Sequence, residues 1–182
     1  MDAPRIALFE TAIGACAIAW GAQGVVSVLL PDADPAATRR RLLRRFTAGV
    51  ETAPTPEMQA VIDSIVALLR GEPRDLGAVP LDMTRVPAFR QRVYAVARTI
   101  PAGSTLTYGE VAAQLGDRAL ARDVGHALGC NPFPIVVPCH RVLAAGNKTG
   151  GFSASGGVAT KLRMLRIEGA GAAGPRGLFD EG

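Results

Sequence analysis

Three short apolar runs open the chain, with glycine-containing turns between them. The segment 21–24 has the composition of a hairpin turn. Runs of this length between turn signals are typical of strands, so the pattern predicts a small sheet over residues 5–30, with strands near 6–9, 15–20 and 25–30.

Two helix starts follow the predicted sheet. Asp34 can accept a hydrogen bond as an N-cap and Pro35 suits the first helical turn, which predicts a helix to about Phe46. Thr55-Pro56 predicts a second helix in the same way, and Gly71 ends it. The N-terminal part of the chain therefore combines a sheet with helices.

The segment 72–86 is rich in proline, glycine and aspartate and is predicted to be a linker. It places a domain boundary near residue 80, with one domain at 1–80 and another at 81–182. A further helix is predicted from Pro87 to about Thr99, where apolar residues recur at helical spacing.

A pair of short helices is predicted next. Thr107-Tyr108-Gly109-Glu110 is a capping-box pattern, and the helix that it starts ends at Gly116. Asp117 can cap a second helix that ends near Gly129. Two short helices with a tight turn between them suggest a helix-turn-helix. Small residues on the second helix favour either close approach to a partner or tight internal packing.

Residues 135–137 are apolar and predict a short buried strand that leads into Cys139. A glycine-rich loop follows over residues 146–157, and a last helix is predicted over about residues 158–168. The glycine- and alanine-rich tail after Gly169 is expected to fray.

Composition and charge narrow the class of protein. The 182 residues are 48% hydrophobic and 20% charged, as in ordinary globular proteins. No apolar run is long enough to span a bilayer, so no membrane partner is expected. The N-terminus lacks the pattern of a secretory signal, so a cytoplasmic location is expected. The net charge of +4 permits a nucleic-acid partner without demanding one, and the rarity of lysine (Lys148 and Lys161) indicates a compositional bias.

The cysteines carry the candidate chemistry. Three cysteines are an odd number and do not suggest a disulfide framework. A nucleophilic cysteine needs a group that takes its proton, and His140 directly follows Cys139. In an extended strand these side chains would point to opposite faces, so either the backbone turns here or a water carries the proton. Glu168 is the candidate carboxylate that orients the imidazole.

From the residues alone, other interpretations stay open. Cys139 can be a buried structural cysteine. A metal site built from Cys130, Cys139, His126 and His140 fits no usual zinc spacing, so no metal is expected. For Cys130, packing in the interior is favoured over a bystander thiol near the site.

A longer motif around Cys139 favours a catalytic cysteine over these other interpretations. Residues 131–142 read Asn-Pro-Phe-Pro-Ile-Val-Val-Pro-Cys-His-Arg-Val, and this segment closely resembles the active-site segment of the O6-alkylguanine-DNA alkyltransferases. The resemblance is strong over residues 87–169 and weaker over 5–70. It implies an α/β (α+β) protein, with a small ribonuclease H-like N-terminal domain of sheet and helices and a winged-helix-like C-terminal domain.

The resemblance also implies a single-turnover reaction that moves an alkyl group from O6 of guanine in double-stranded DNA to Cys139. O4 of thymine is a further possible substrate position. His140 corresponds to the base that deprotonates Cys139 through a water, Glu168 to the carboxylate that holds His140, and Asn131 to the residue that braces the active-site turn. No cofactor is expected, and the protein is expected to be a monomer.

Binding residues follow from the same resemblance. Tyr108 corresponds to the tyrosine that helps to rotate the nucleotide and bonds the base at N3, and Arg122 to the arginine that fills the gap in the base stack. Pro134 and the carbonyl of Val142 are expected in the pocket. Small residues Ala121 and Gly125 would let the helix lie in the minor groove.

The segment before the last helix departs from the family pattern. Residues 152–157 read Phe-Ser-Ala-Ser-Gly-Gly, with two residues more than the usual aromatic-Ser-Gly-Gly. Either Ser153 or Ser155 can therefore supply the backbone amide that faces O6.

Three rival functions remain. A non-catalytic binder of alkylated DNA would lack the acceptor cysteine, whereas Cys139 is present. A cysteine hydrolase would explain neither the helix pair nor Arg122. A methylation-responsive regulator would need an additional cysteine-rich metal domain, and the sequence has no residues for one.

Overall fold

A computed structural model describes residues 3–170 of the chain. The chain forms two compact units of mixed α and β structure. The first runs to Arg85 and also includes Pro132–Val136, whereas the second comprises Val86–Asn131 and continues from Val137. The division at residue 85 lies later than the boundary expected near residue 80, and the return of 132–136 to the first unit was not expected. The predicted fraying of the tail concerns residues outside the described range.

The first unit contains a four-stranded sheet in the order β3-β2-β1-β4. Antiparallel pairing joins β1 to β2 and β2 to β3, whereas β4 lies parallel to β1. The first three strands agree with the three predicted apolar runs; the four strands are β1 (Arg5–Thr11), β2 (Gly14–Gly21), β3 (Gly24–Leu29) and β4 (Val50–Glu51).

Helices α1 (Pro35–Arg45) and α2 (Pro56–Leu69) begin where the sequence predicts. The Asp34 carboxylate accepts a hydrogen bond of 2.7 Å from the Ala37 amide, and the Thr55 hydroxyl caps α2 in the same way. Both caps satisfy amides that have no partner within the helix. The apolar face of α1 covers the sheet in a core formed by Ile6, Ala17, Ala19, Leu29 and Leu42.

The segment predicted as a linker is part of the first unit. The Val25 amide donates to the Pro80 carbonyl at 2.9 Å, and the Asp82 amide donates to the Val25 carbonyl at 2.8 Å. Further along β3, the Val28 amide and the Ser27 hydroxyl both donate to the Pro132 carbonyl, at 2.9 Å and 3.0 Å. The edge of β3 is therefore covered by two segments that lie far apart in sequence.

The second unit is mainly helical. Its helices are α3 (Ala88–Ala97), α4 (Tyr108–Gln114), α5 (Ala121–Gly129) and α6 (Gly157–Ile167). A parallel pair of two-residue strands, β5 (Leu106–Thr107) and β6 (Val142–Leu143), joins the start of α4 to the segment after Cys139. Helix α3 is tied to α5 by the Tyr94 hydroxyl, which donates to the Ala127 carbonyl at 2.9 Å.

The short strand predicted over residues 135–137 is wrong. These residues are buried as predicted, but the chain makes a turn here, and Ile135 adopts a φ of 76°. Pro134 and Pro138 lie on either side and have no amide hydrogen to donate, so a regular ladder cannot form. The Asn131 side chain donates to the Val137 carbonyl at 2.9 Å and braces the point where the second unit resumes.

No helix within residues 3–170 combines the length and the hydropathy that a membrane span requires.

Candidate active site

Cys139 lies at the start of a short 3-10 helix, Cys139–Arg141. The Cys139 amide donates to the Val137 carbonyl at 2.8 Å, and the Arg141 amide donates to the Pro138 carbonyl at 2.9 Å. The backbone therefore turns at the cysteine and is not an extended strand. The turned backbone that the sequence left open for the Cys–His pair is observed, and transfer of the proton through a water stays a prediction.

His140 is fully buried and contacts the carboxylate at the end of α6. Its Nε2 lies 2.8 Å from Oε1 of Glu168, whose side chain is only 3% exposed. Nδ1 has no hydrogen-bond partner among the described residues. Since an ionised carboxylate can only accept, Nε2 carries the hydrogen and Nδ1 presents a lone pair. The imidazole is thus oriented to take a proton at Nδ1.

The charges of this pair follow from its burial. Burial lowers the pKa of His140 below its usual value, and the hydrogen bond and charge of Glu168 oppose this only in part. Burial alone would raise the pKa of Glu168, but hydrogen bonds from His140 and Arg141 outweigh it and lower the pKa to about 2. With both pKa values lowered, the imidazole is neutral and the carboxylate is anionic at neutral pH.

The thiol of Cys139 is also buried. Burial raises its pKa, whereas a hydrogen bond from the Asn131 side chain and the positive charge of Lys161 lower it. A buried thiol reacts only when a nearby group removes its proton or stabilises the thiolate. Asn131 and Lys161 are placed to stabilise the thiolate.

Lys161 is a buried cation of the site. Its side chain is fully buried in α6, and Nζ donates to the Val142 carbonyl at 2.7 Å. Nζ also lies 5.9 Å from the ring centroid of Tyr108 and 6.0 Å from that of Phe152. Burial lowers the pKa of Lys161 to about 8, against the opposing effect of Cys139. Within residues 3–170 no carboxylate pairs with this ammonium.

Tyr108 is the first residue of α4 and is positioned by a capping box. The Glu110 amide donates to the Thr107 hydroxyl at 3.1 Å, and the Thr107 amide donates to the Glu110 carboxylate at 2.6 Å. A Cβ at Gly150 would come within 2.8 Å of the Tyr108 hydroxyl, so the phenol occupies space that only a glycine leaves free. Burial, followed by the Cys139 charge, raises the pKa of Tyr108.

Helix α5 carries the residues expected to contact DNA. Arg122 is exposed and Ala121 is partly exposed. A Cβ at Gly125 would make only an ordinary contact of 3.9 Å with the Tyr108 ring, so the packing of α5 against α4 does not require a glycine here. Close approach of this helix to a partner therefore stays a prediction.

The remaining predicted pocket residues lie in different places. Val142 is buried in β6 and its carbonyl receives the Lys161 ammonium. Pro134 is buried and belongs to the first unit. The Ser153 hydroxyl donates to the Gly129 carbonyl at 2.7 Å and so fixes the loop against the end of α5, whereas Ser155 is partly buried.

The prediction that Cys130 packs in the interior is wrong. This residue is exposed at the end of α5, and its Sγ lies 4.0 Å from Nε2 of His126. Among the residues that the structure describes, no three His, Cys, Asp or Glu side chains come together as a possible metal site.

Comparison with known proteins identifies the family of this chain. The family model for the DNA-binding domain of 6-O-methylguanine DNA methyltransferase matches residues 88–170. A methylated-DNA–protein-cysteine methyltransferase from Methanothermobacter thermautotrophicus is 35% identical over 152 residues, which cover 84% of this chain and 78% of the relative. The chain belongs to the methylated-DNA–protein-cysteine methyltransferase family.

Solved structures of this methyltransferase family agree. A Mycobacterium tuberculosis O6-methylguanine methyltransferase superposes with a TM-score of 0.74 at 30% identity, over 96% of this chain and 97% of that one. A complex of Mycobacterium tuberculosis OGT with DNA gives a TM-score of 0.73 at 31% identity, over 91% of this chain and 92% of that one.

Sequence reasoning missed two buried cations in this family member, Arg141 and Lys161. Arg141 belongs to the motif at residues 131–142, but the resemblance implies no role for it. Lys161 follows the helical pattern of α6, where a lysine is ordinarily exposed. The sequence feature that could have indicated a role for Lys161 is the rarity of lysine. Only two of the 20 basic residues are lysines, and the other one, Lys148, is exposed.

Proposed function

We propose that this protein repairs DNA by direct reversal, moving a methyl or other alkyl group from O6 of guanine to the sulfur of Cys139. The observation that carries this assignment is the buried Cys139-His140-Glu168 arrangement, in a chain of the methylated-DNA–protein-cysteine methyltransferase family. The acceptor is consumed because a thioether has no easy leaving group. Each molecule therefore acts once.

Activation of the thiol uses the neutral imidazole. Nδ1 of His140 accepts the Cys139 proton through a water, while Nε2 stays hydrogen-bonded to Glu168. The imidazolium that forms lies 2.8 Å from the carboxylate, which stabilises it. The thiolate is stabilised by the Asn131 side chain and the Lys161 charge.

In the transfer step the thiolate attacks the alkyl carbon from the side opposite O6. A sulfur–carbon bond forms, the carbon–oxygen bond breaks, and its electron pair stays on the guanine oxygen. The leaving guanine takes up a proton at N3 from the Tyr108 hydroxyl. The Lys161 ammonium beside the Tyr108 ring stabilises the resulting phenolate.

Helices α4 and α5 bind the DNA. Arg122 fills the gap left by the rotated nucleotide, and the small residues Ala121 and Gly125 permit close approach of α5 to the minor groove.

The proposed fold of each unit follows from its element order. The strand order β3-β2-β1-β4 supports a ribonuclease H-like first unit, and helices α3 to α5 with the β5-β6 pair support a winged-helix-like second unit. A monomeric state and a cytoplasmic location stay predictions. So do the positions of Pro134, Ser153 and Ser155 in the pocket.

The direct test is to incubate the protein with duplex DNA that carries methyl-labelled O6-methylguanine and then measure intact mass and map the label. One methyl group per molecule is expected on Cys139, without turnover. Cys139→Ala should abolish transfer, whereas the matched variant Cys130→Ala, which removes the exposed thiol, should retain it. Full transfer by Cys139→Ala contradicts the proposal, and binding of the lesion without transfer by the wild type favours a lesion binder.

A further inference from the structure

Arg141 lies beside the proposed base and contacts the same carboxylate. Its Nη2 lies 2.8 Å from Oε1 of Glu168 and its Nε lies 2.9 Å from Oε2, so the guanidinium binds the carboxylate through both oxygens. Oε1 is also the atom that lies 2.8 Å from Nε2 of His140. One carboxylate therefore serves two consecutive residues of the active-site turn.

A third contact fixes the guanidinium in place. Nη1 of Arg141 donates to the Ile100 carbonyl at 2.6 Å, in the turn after α3. The side chain is only 7% exposed, and all three of its nitrogens have partners. Arg141 thus links the active-site turn, the end of α6 and the turn after α3.

The charges of this buried group depend on the state of His140. With a neutral imidazole, Arg141 and Glu168 together carry no net charge. With a protonated imidazole, the same group carries one net positive charge in a place where charge is costly. Lys161 also acts electrostatically on His140, and its positive charge opposes protonation of the imidazole as Arg141 does.

We propose that Arg141 is a positioning residue that shares the Glu168 carboxylate with His140, so that the imidazole stays unprotonated and available as a base at neutral pH. This inference rests on the proposed function of His140. Without Arg141, the carboxylate would act on the imidazole alone and would stabilise its protonated form. Direct orientation of His140 by Glu168 would remain.

The test follows the titration of His140 by NMR of the imidazole ring in a Cys139→Ser background, so it needs neither DNA nor alkyl transfer. The chain contains two histidines, and His126 is exposed on α5 and serves as the internal reference. In Arg141→Met the pKa of His140 should rise by about one unit, a tenfold gain in proton affinity. Arg141→Lys keeps the charge but loses the bidentate contact with Glu168, so an intermediate rise in the pKa of His140 is expected.

The kinetic counterpart is the pH profile of transfer from a free alkylated base. The acid limb should move to higher pH in Arg141→Met and less far in Arg141→Lys. A merely structural role predicts slower transfer at every pH with an unmoved acid limb, and that result overturns the inference. An unshifted His140 titration in a folded Arg141→Lys also overturns it, even if Arg141→Met does not fold. Absence of transfer by the wild type would contradict the proposed function and leave the NMR result to be judged separately.

Discussion

At the scale of single residues, the site is defined by buried charges more than by its nucleophile. Cys139 and His140 are both held in their neutral forms by burial, so the resting site contains a thiol and an imidazole. The charged residues around them control the transfer of the proton: Lys161 stabilises the thiolate and Glu168 the imidazolium, whereas Arg141 opposes protonation of the imidazole. Removing Arg141 or Glu168 would leave the other charge buried without its partner and would also lower stability, so their effects on rates and pH profiles are measured on folded variants.

Lys161 offers the clearest separation of function from stability. Its pKa is lowered from 10.5 to about 8 in the folded protein, so between those values the unfolded chain binds more protons. By linkage, the contribution of Lys161 makes the folded state more stable as pH rises from about 8 to 10.5. Burying the charge is therefore a net cost at neutral pH.

We expect Lys161→Met to slow transfer from a free alkylated base about tenfold at neutral pH, equivalent to one pKa unit of the thiol. Its free energy of unfolding at pH 7, measured in urea, should be no lower than that of the wild type, and the rise above pH 8 should disappear. The exposed Lys148→Met is the control and should change neither. Equal transfer rates for the two variants would contradict the role of Lys161.

Arg122 tests the assignment of α5 to DNA. Arg122→Ala should weaken transfer from duplex DNA by about tenfold, but it should affect a free alkylated base much less, because only the duplex requires base flipping. Arg40→Ala removes an equally exposed arginine from α1 in the first unit and is the matched control. Equal losses on both substrates for Arg122→Ala would argue against a role in holding the flipped state.

At the scale of elements, the start of α4 connects helix capping to chemistry. Thr107 caps the helix and pairs with β6 through its own strand, so the next residue, Tyr108, has a fixed position. Thr55 caps α2 with the same kind of hydrogen bond but lies in the first unit. The two threonines form a natural comparison.

Each Thr→Ala change should lower the free energy of unfolding by about 1 kcal/mol, the usual cost of a lost N-cap. Only Thr107→Ala should also slow alkyl transfer, because only that cap positions Tyr108. Chemical denaturation and single-turnover kinetics on both variants provide the measurement. Equal rates in the two variants would indicate that Tyr108 does not depend on the capping box.

Elements with local signals could be predicted from the sequence, and elements fixed by tertiary contacts could not. The caps at Asp34, Thr55 and Thr107 act within a few residues, so their helices begin as predicted. The segment before the turn at Ile135 is held by β3 through the Pro132 carbonyl, and periodicity cannot reveal a contact between residues about a hundred positions apart. In the site, a motif marks Cys139 and His140, whereas the burial of Lys161 depends on how α6 packs against β6.

At the scale of the whole molecule, the path of the chain links the two units. The chain enters the second unit at Val86, returns to the first for Pro132–Val136, and re-enters the second at Val137, just before Cys139. The returning segment carries the buried side chains of Phe133, Ile135 and Val136. The first unit thus supplies the surroundings of a segment that leads directly into the active-site turn.

A fragment that begins at Val86 should therefore not fold into an active unit on its own. It would expose the apolar side chains of Phe133 and Val136, and the Pro132 carbonyl would lose both of its donors from β3. We expect no cooperative thermal transition and no alkyl transfer, with recovery of both when residues 1–85 are added in trans. A stable, active fragment would show that the first unit is dispensable for this segment.

The three cysteines differ in exposure, and their reactivity can therefore show whether a molecule has already accepted an alkyl group. Cys16 and Cys139 are buried, whereas Cys130 is exposed, so a thiol reagent applied to the native protein should label Cys130 alone. After unfolding, an unused molecule should yield three reactive thiols and a spent one two. Counting thiols would then measure the remaining repair capacity of a sample, and a dye on Cys130 would report on the end of α5 without touching the acceptor.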